Sequence, residues 1–159
     1  MSTIYVAGGV GVAPTEMAAY DAALADINLH NYNLVRVSSV IPAAATLRVV
    51  DAAPDLGPAG NRLTVVQSKT VSGPDDAVDE LAAAIGWATG PGPGLFYEAS
   101  GTNSAAVEQA VEQGLDAGCG LRDWAFTDRD TLVSTTRPVE GSYTAVVVLA
   151  AYGESEPVF

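Results

Sequence analysis

Apolar residues recur every three or four positions in two segments, and this spacing predicts amphipathic helices. The first segment is 16–29, in which Tyr20 and Leu24 share one face. The second is 103–118, which begins with Asn-Ser and ends at a glycine, as helices commonly do. A third helix is expected at 73–88, because Asp and Glu near its start would stabilise a helix N-terminus.

Short apolar runs that end in turn residues predict strands. After the first predicted strand, 2–7, comes a glycine-rich stretch, 8–15. It contains Gly9-Val10-Gly11, the opening of a dinucleotide-binding fingerprint. Pro14 stands where the third glycine of that fingerprint belongs, so a plain tight turn is favoured. The turn-rich segment 51–61 suggests no function. The predicted strands are 2–7, 33–41, 62–71, the second half of 90–100, 121–127 and 143–153.

The order of these elements indicates the fold class. Helices and strands alternate without the regular order of a parallel sheet, so we predict an α+β sandwich with helices packed over the sheets. The chain has 159 residues and is 48% hydrophobic, which suits one domain with a sizeable core. No apolar run reaches the roughly 20 residues that a membrane helix needs. The N-terminus lacks the features of a signal peptide, so we expect a single domain, 1–159, in the cytoplasm and not in a membrane.

The charge of the chain narrows the range of partners. Its 19 acidic and seven basic residues give a formal net charge of −12. Such a surface repels phosphate, so we do not expect nucleic acid as a partner. Scarce lysine and scattered acids favour a cytoplasm rich in salt, where the repulsion between charges is screened. An ordinary acidic protein is the alternative.

Several kinds of cofactor site are disfavoured by residue counts. Cys119 is the only cysteine and His30 the only histidine, so one chain cannot form a disulfide, a thiolate cluster or a multi-histidine metal site. We therefore expect no metal. Lys69 is the only lysine, and it lies in a predicted strand without a supporting motif. PLP chemistry, which needs a lysine, is therefore not expected either.

Ser38 and Ser39 stand side by side before a Val-Ile-Pro corner. A turn with two hydroxyls is the simplest interpretation, but the pair also permits a specific reaction. The second hydroxyl can attack the carbonyl of the first serine and convert the peptide bond into an ester. Strain at a tight corner would promote this step. Elimination would then release a C-terminus at Ser38 and leave dehydroalanine at position 39, which hydrolyses to a pyruvoyl group.

Three further polar residues are candidate site residues, although none of them is strong evidence for a site when taken alone. Glu98 ends an apolar strand, where a carboxylate can lie partly buried, although an ordinary edge carboxylate is the simpler interpretation. Asp21 lies on a predicted helix, where a solvated helix face is the simpler interpretation. Asn33 precedes Leu34 at the start of a predicted strand.

Taken together, these residues resemble the pyruvoyl-dependent arginine decarboxylases of archaea. The spacing from Asp21 through Asn33 to Ser39 matches the family pattern. The chain departs from relatives after Pro42, where it has "AAAT" in place of a second proline and an acid. The matching motifs, in chain order, are "YDAAL", "NLVRVSSVIP", "GLFYE" before a long acidic helix, "RDW" and "YTAVVVLAAYG".

The resemblance implies an activity and a covalent cofactor. The chain would cleave itself between Ser38 and Ser39 into a β chain, 1–38, and an α chain, 39–159. The α chain would begin with a pyruvoyl group derived from Ser39, which would replace PLP in the decarboxylation of L-arginine to agmatine and carbon dioxide.

The resemblance also implies a role for each of the other candidates. Glu98 would be the proton donor. Asn33 would orient the scissile carbonyl and line the finished site. Asp21 would accept the substrate guanidinium through two parallel hydrogen bonds.

At the level of architecture, the resemblance implies a four-layer αββα sandwich of mixed or antiparallel sheets with helices on the outer faces. It also implies that the chain assembles into homotrimers or hexamers, with active sites between neighbouring subunits. Two alternatives stay open. In the first, the chain is a pyruvoyl decarboxylase for another amino acid, because Asp21 indicates a cationic substrate without distinguishing arginine from lysine or ornithine. Otherwise the chain is an uncleaved, non-catalytic trimeric paralogue.

Overall fold

The computed structural model describes residues 2–159, which form two helices and nine strands. The elements are β1 (Thr3–Ala13), α1 (Glu16–Asp26), β2 (Asn33–Arg36), β3 (Val40–Ile41), β4 (Thr46–Val49), β5 (Arg62–Ser72), β6 (Leu81–Thr89), β7 (Gly94–Gly101), α2 (Ser104–Gly120), β8 (Asp128–Thr136) and β9 (Tyr143–Tyr152). Sheet A has the strand order β2-β5-β9-β1-β4, and sheet B the order β3-β7-β6-β8. Within this part of the chain, neither helix is long and apolar enough to cross a membrane.

The two sheets pack face to face, and one helix covers each outer face. Helix α1 packs on sheet A, and α2 packs on sheet B. The middle core lies between the sheets and includes Val66, Ile85, Phe96 and Val148. Burying each such side chain contributes about 1.5–3 kcal/mol, so this layer contributes much of the stability. The layers confirm the predicted α+β sandwich with αββα order.

Strand β1 continues through the glycine-rich stretch, so the tight turn predicted there is wrong. A side chain at Gly9 would collide with the main chain of Ala23, and one at Gly11 with the main chain of Ala19 and Ala23. The glycines therefore allow the backbone of α1 to lie directly against the strand.

The helix predicted at 73–88 is also wrong, because its second half is strand β6. This strand is buried on both faces, with α2 on one side and sheet A on the other. A strand buried on both faces reads as a continuous apolar run, which periodicity cannot distinguish from a buried helix. One of the acidic residues before it does stabilise a helix, because the Glu80 carboxylate accepts the Ser104 N–H at the start of α2 at 2.6 Å.

Two other strand predictions need correction. Residues 121–127 form a connection, and the edge strand is β8, whose polar sequence "DRDTLVSTT" gave no apolar alternation. Arg129 of β8 bridges Asp116 at 2.7 Å and Glu112 at 3.3 Å on α2. The single strand predicted for 33–41 is two strands in different sheets, and this break forms the site described next.

Candidate active site

The serine pair lies where the chain passes from one sheet to the other. Strand β2 is an edge of sheet A and β3 an edge of sheet B, with three residues between them. On the first side, the Val37 N–H donates to the Val65 carbonyl at 3.0 Å. On the second side, the Ser39 carbonyl accepts from the Phe96 N–H at 2.7 Å. The Ser38–Ser39 peptide bond is therefore held between two anchored ends.

The residue that follows the pair is fixed from sheet A. The Tyr152 hydroxyl donates to the Val40 carbonyl at 3.1 Å, and its ring meets Phe96 edge-on at 6.2 Å. Burial raises the pKa of Tyr152 to about 12, so the hydroxyl keeps its proton and stays a donor through the neutral range. Tyr152 therefore fixes the start of β3.

Ser39 and Glu98 are brought together. The Ser39 Oγ donates to the Glu98 Oε2 at 3.4 Å. Glu98 shares a strand face with Phe96, two positions before it, and this alternation directs its carboxylate toward the crossover. Ser39 is half-buried, whereas Ser38 and Glu98 are exposed, so Glu98 is an ordinary exposed carboxylate in the single chain and is not partly buried. A carboxylate beside a hydroxyl can accept its proton and activate it as a nucleophile.

A small groove of about 320 Å³ adjoins Ser39 between β7 and α2. Its lining is mostly apolar and includes the Tyr97 ring, which packs so closely on Gly114 that a side chain there would collide with it. Arg122, at the same groove, donates to the Gly118 carbonyl at 2.9 Å. An apolar groove with few polar groups is typical of a small-molecule site.

Asp21 and Asn33 lie in a different, wider groove of about 680 Å³, on the α1 side of sheet A. Both side chains are exposed. Asn33 is held from one side, because its Nδ2 donates to the Gly60 carbonyl at 2.7 Å. Across residues 2–159, no hydrogen bond joins this pair to Ser39 or Glu98. One chain therefore presents two halves of the expected site in separate places.

No metal centre is evident in the described part of the chain. Among residues 2–159, no three His, Cys, Asp or Glu side chains are grouped so as to hold an ion. The groups that meet at the crossover are the Ser39 hydroxyl and the Glu98 carboxylate.

Tyr152 and Gly60 were missed as site residues by sequence reasoning. Tyr152 bonds a residue 112 positions away and Gly60 one 27 positions away. Neither contact leaves a local signal, since a tyrosine in a strand and a glycine in a turn are common. Only the topology of the sheets reveals them.

Comparisons with known proteins agree with this geometry. The model of the family described as pyruvoyl-dependent arginine decarboxylase matches residues 3–157. A pyruvoyl-dependent arginine decarboxylase from Halobacterium salinarum is 54% identical over 162 residues, covering 100% of this chain and 99% of the relative. Proteins of the same name from Thermococcus sibiricus and Pyrococcus furiosus are 31% and 30% identical, covering 85% and 87% of this chain and 87% and 88% of theirs. Because the matches span both sheets, both helices and the serine pair, the chain belongs to the pyruvoyl-dependent arginine decarboxylase family.

Proposed function

We propose that the chain cleaves itself between Ser38 and Ser39 and then decarboxylates L-arginine to agmatine and carbon dioxide. The observation that carries the proposal is the Ser39 hydroxyl, bonded to the Glu98 carboxylate at a crossover anchored on both sides. The names of the relatives, which specify a pyruvoyl group and arginine, support the choice of reaction and substrate.

Cleavage follows from the groups at the crossover. As Glu98 takes the hydroxyl proton, the Ser39 Oγ attacks the Ser38 carbonyl carbon. The C–N bond then breaks, the departing Ser39 nitrogen takes up that proton and becomes a free amine, and an ester forms. Loss of the Ser39 Cα proton and rupture of the Cβ–O bond release the Ser38 carboxylate and leave dehydroalanine. Water then displaces ammonia and completes the pyruvoyl group. The position suits that group, because the residue 39 carbonyl bonded to Phe96 is unchanged by these steps.

In the mature protein, each remaining residue has one task. The pyruvoyl group supplies an electron-withdrawing carbonyl that takes up the substrate amine and the electrons released with carbon dioxide. Glu98 returns a proton to the substrate carbon. Asp21 binds the guanidinium through two charge-assisted hydrogen bonds, which favours arginine over amines without a planar fork. Asn33 lines the same cavity.

A complete site needs a second subunit. Asp21 and Ser39 lie in separate grooves of one chain, so the proposed assembly is a homotrimer, or a pair of trimers, in which neighbouring subunits bring the two together. Val35 and Val37, 45% and 41% exposed beside the crossover, provide apolar surface for such contacts. The net charge of −12 and the Halobacterium relative support a salt-rich cytoplasm as the working environment.

The substrate is tested by supplying purified protein with L-arginine, L-ornithine or L-lysine and no added PLP. We expect carbon dioxide and agmatine from arginine, with much slower release from the other two. Ser39→Ala is the control and should release none. Faster turnover of ornithine or lysine would overturn the substrate assignment, and undiminished activity of Ser39→Ala would overturn the pyruvoyl mechanism.

A further inference from the structure

The turn-rich segment 51–61, for which the sequence pattern suggests no function, holds the side chain of Asn33. Two of its glycines have positive φ, Gly57 at +128° and Gly60 at +90°. The Gly60 carbonyl accepts from the Asn33 side-chain amide at 2.7 Å, and the Gly60 N–H donates to the Asn31 carbonyl at 2.8 Å. Gly60 therefore bonds the chain both at Asn33 and two residues before it.

The segment is itself tied to the C-terminal end of the chain. The Asn61 carbonyl accepts from the Asn33 N–H at 2.8 Å, and the Asn61 side chain donates to the Ser155 Oγ at 3.0 Å. Ser155 in turn donates to the Leu56 carbonyl at 2.6 Å. These bonds join the segment to the residues after β9, so the Gly60 carbonyl is a fixed acceptor.

A fixed acceptor restricts an otherwise exposed amide. An exposed asparagine samples several rotamers, and a hydrogen bond to rigid backbone selects among them. One N–H of Asn33 is used in this bond, and its second N–H and carbonyl oxygen stay available to other groups. The carbonyl of residue 60 is aimed by a φ of +90°, which a residue with a Cβ adopts at a cost.

We propose that Gly60 is a positioning residue, whose carbonyl fixes the Asn33 amide in the orientation that promotes cleavage at Ser38 and lines the mature site. The inference rests on the proposed function, because it concerns the role of Asn33 in that function. It explains why a glycine with positive φ stands opposite a polar residue at the edge of sheet A.

Gly141 provides a matched control. It also has positive φ, +79°, and a Cβ at either glycine would meet open space. Alanine at either position therefore imposes a similar backbone strain, but only Gly60 bonds the Asn33 side chain. The experiment follows cleavage after synthesis by intact mass for Gly60→Ala, Gly141→Ala and wild type, with the melting temperature of each.

We expect both variants to lower the melting temperature by a similar amount and only Gly60→Ala to slow cleavage, by about tenfold or more. Gly60→Asn should recover much of the rate, because asparagine tolerates positive φ. In an Asn33→Ala background, where residual cleavage is followed over days, Gly60→Ala should cause no further slowing. If Gly60→Ala does not fold, Gly60→Asn is compared with Gly141→Asn.

Two failures are distinguishable. The positioning role would be overturned if Gly60→Ala and Gly141→Ala cleaved at equal rates. It would also be overturned if Gly60→Ala slowed cleavage as much in the Asn33→Ala background as in the wild type. In both cases the wild type would still cleave and decarboxylate arginine. A wild type that neither cleaves nor releases carbon dioxide from arginine would overturn the proposed function, and this inference with it.

Discussion

Ser39 has a defined partner for each of its side-chain and carbonyl oxygens. Its hydroxyl bonds Glu98 and its carbonyl bonds the Phe96 N–H, both on β7. The serine pair itself is identifiable from sequence, since the reaction needs only two adjacent residues. Its partners are not, because Glu98 lies 59 positions away and approaches only through the pairing of β3 with β7.

Asp21→Asn tests the guanidinium contact at the level of one residue. We expect the KM for arginine to rise about 10- to 100-fold with a smaller change in kcat, because a charge-assisted hydrogen bond is lost from binding. Initial rates over a range of arginine concentrations measure both constants. Glu16→Gln removes a charge from the same helix and should leave KM unchanged. An unaltered KM in Asp21→Asn would exclude this contact.

At the level of elements, close packing determines the type and the ends of some elements that the local sequence pattern does not predict. Both helices follow from their periodicity, because each has one buried and one exposed face. Strand β6 does not, since burial on both faces removes the alternation that identifies a strand. Strand β1 was cut short in the prediction because the role of Gly11 depends on a helix that packs against it.

Gly11→Ala tests this helix–strand contact. We expect the free energy of unfolding to fall by about 1–3 kcal/mol, because the new Cβ collides with the main chain of Ala19 and Ala23 in α1. Urea unfolding in a Ser39→Ala background, at one protein concentration, keeps the comparison to a single covalent chain. Gly92→Ala, whose Cβ would meet nothing within 4 Å, should change stability by less than about 0.5 kcal/mol. Equal losses in the two variants would contradict the packing explanation.

The hydrogen bond from Tyr152 to the start of β3 makes the stability of the protein depend on pH. Its folded pKa of about 12 exceeds the ordinary value of 10.0, so its contribution is complete below pH 10 and is lost as the pH rises to 12. Wild-type stability should therefore fall over this range by more than that of Tyr152→Phe. Tyr20, whose pKa burial also raises, is present in both proteins and cancels. Thermal midpoints of both proteins from pH 9 to 12 measure the difference. An equal fall in the midpoints of wild type and Tyr152→Phe would refute the role of Tyr152.

At the level of the whole molecule, the candidate residues separate into two groups. Ser39 and Glu98 meet at the crossover, and Asp21 and Asn33 meet in the groove beside α1. The motifs that resemble the family predict all four as site residues, but positions along a chain do not say whether residues meet within one subunit or between two. That information lies in the packing of subunits, which the proposed trimer would supply.

Complementation between inactive variants tests shared sites. Asp21→Ala and Glu98→Gln should each be nearly inactive at low arginine. In randomly mixed trimers, about a quarter of the sites combine a wild-type Asp21 from one subunit with a wild-type Glu98 from its neighbour. Co-expression should therefore recover roughly that fraction of wild-type activity. Mixed trimers identified by native mass that stay inactive would place each site within one chain.

The most direct measurement is the intact mass of the purified wild-type protein under denaturing conditions, after purification in high salt. We expect two fragments, residues 1–38 and 39–159, with the larger beginning in a pyruvoyl group, and one uncut chain for Ser39→Ala. A single full-length mass for the wild type would contradict self-cleavage at Ser38–Ser39, and with it the proposed source of the catalytic carbonyl.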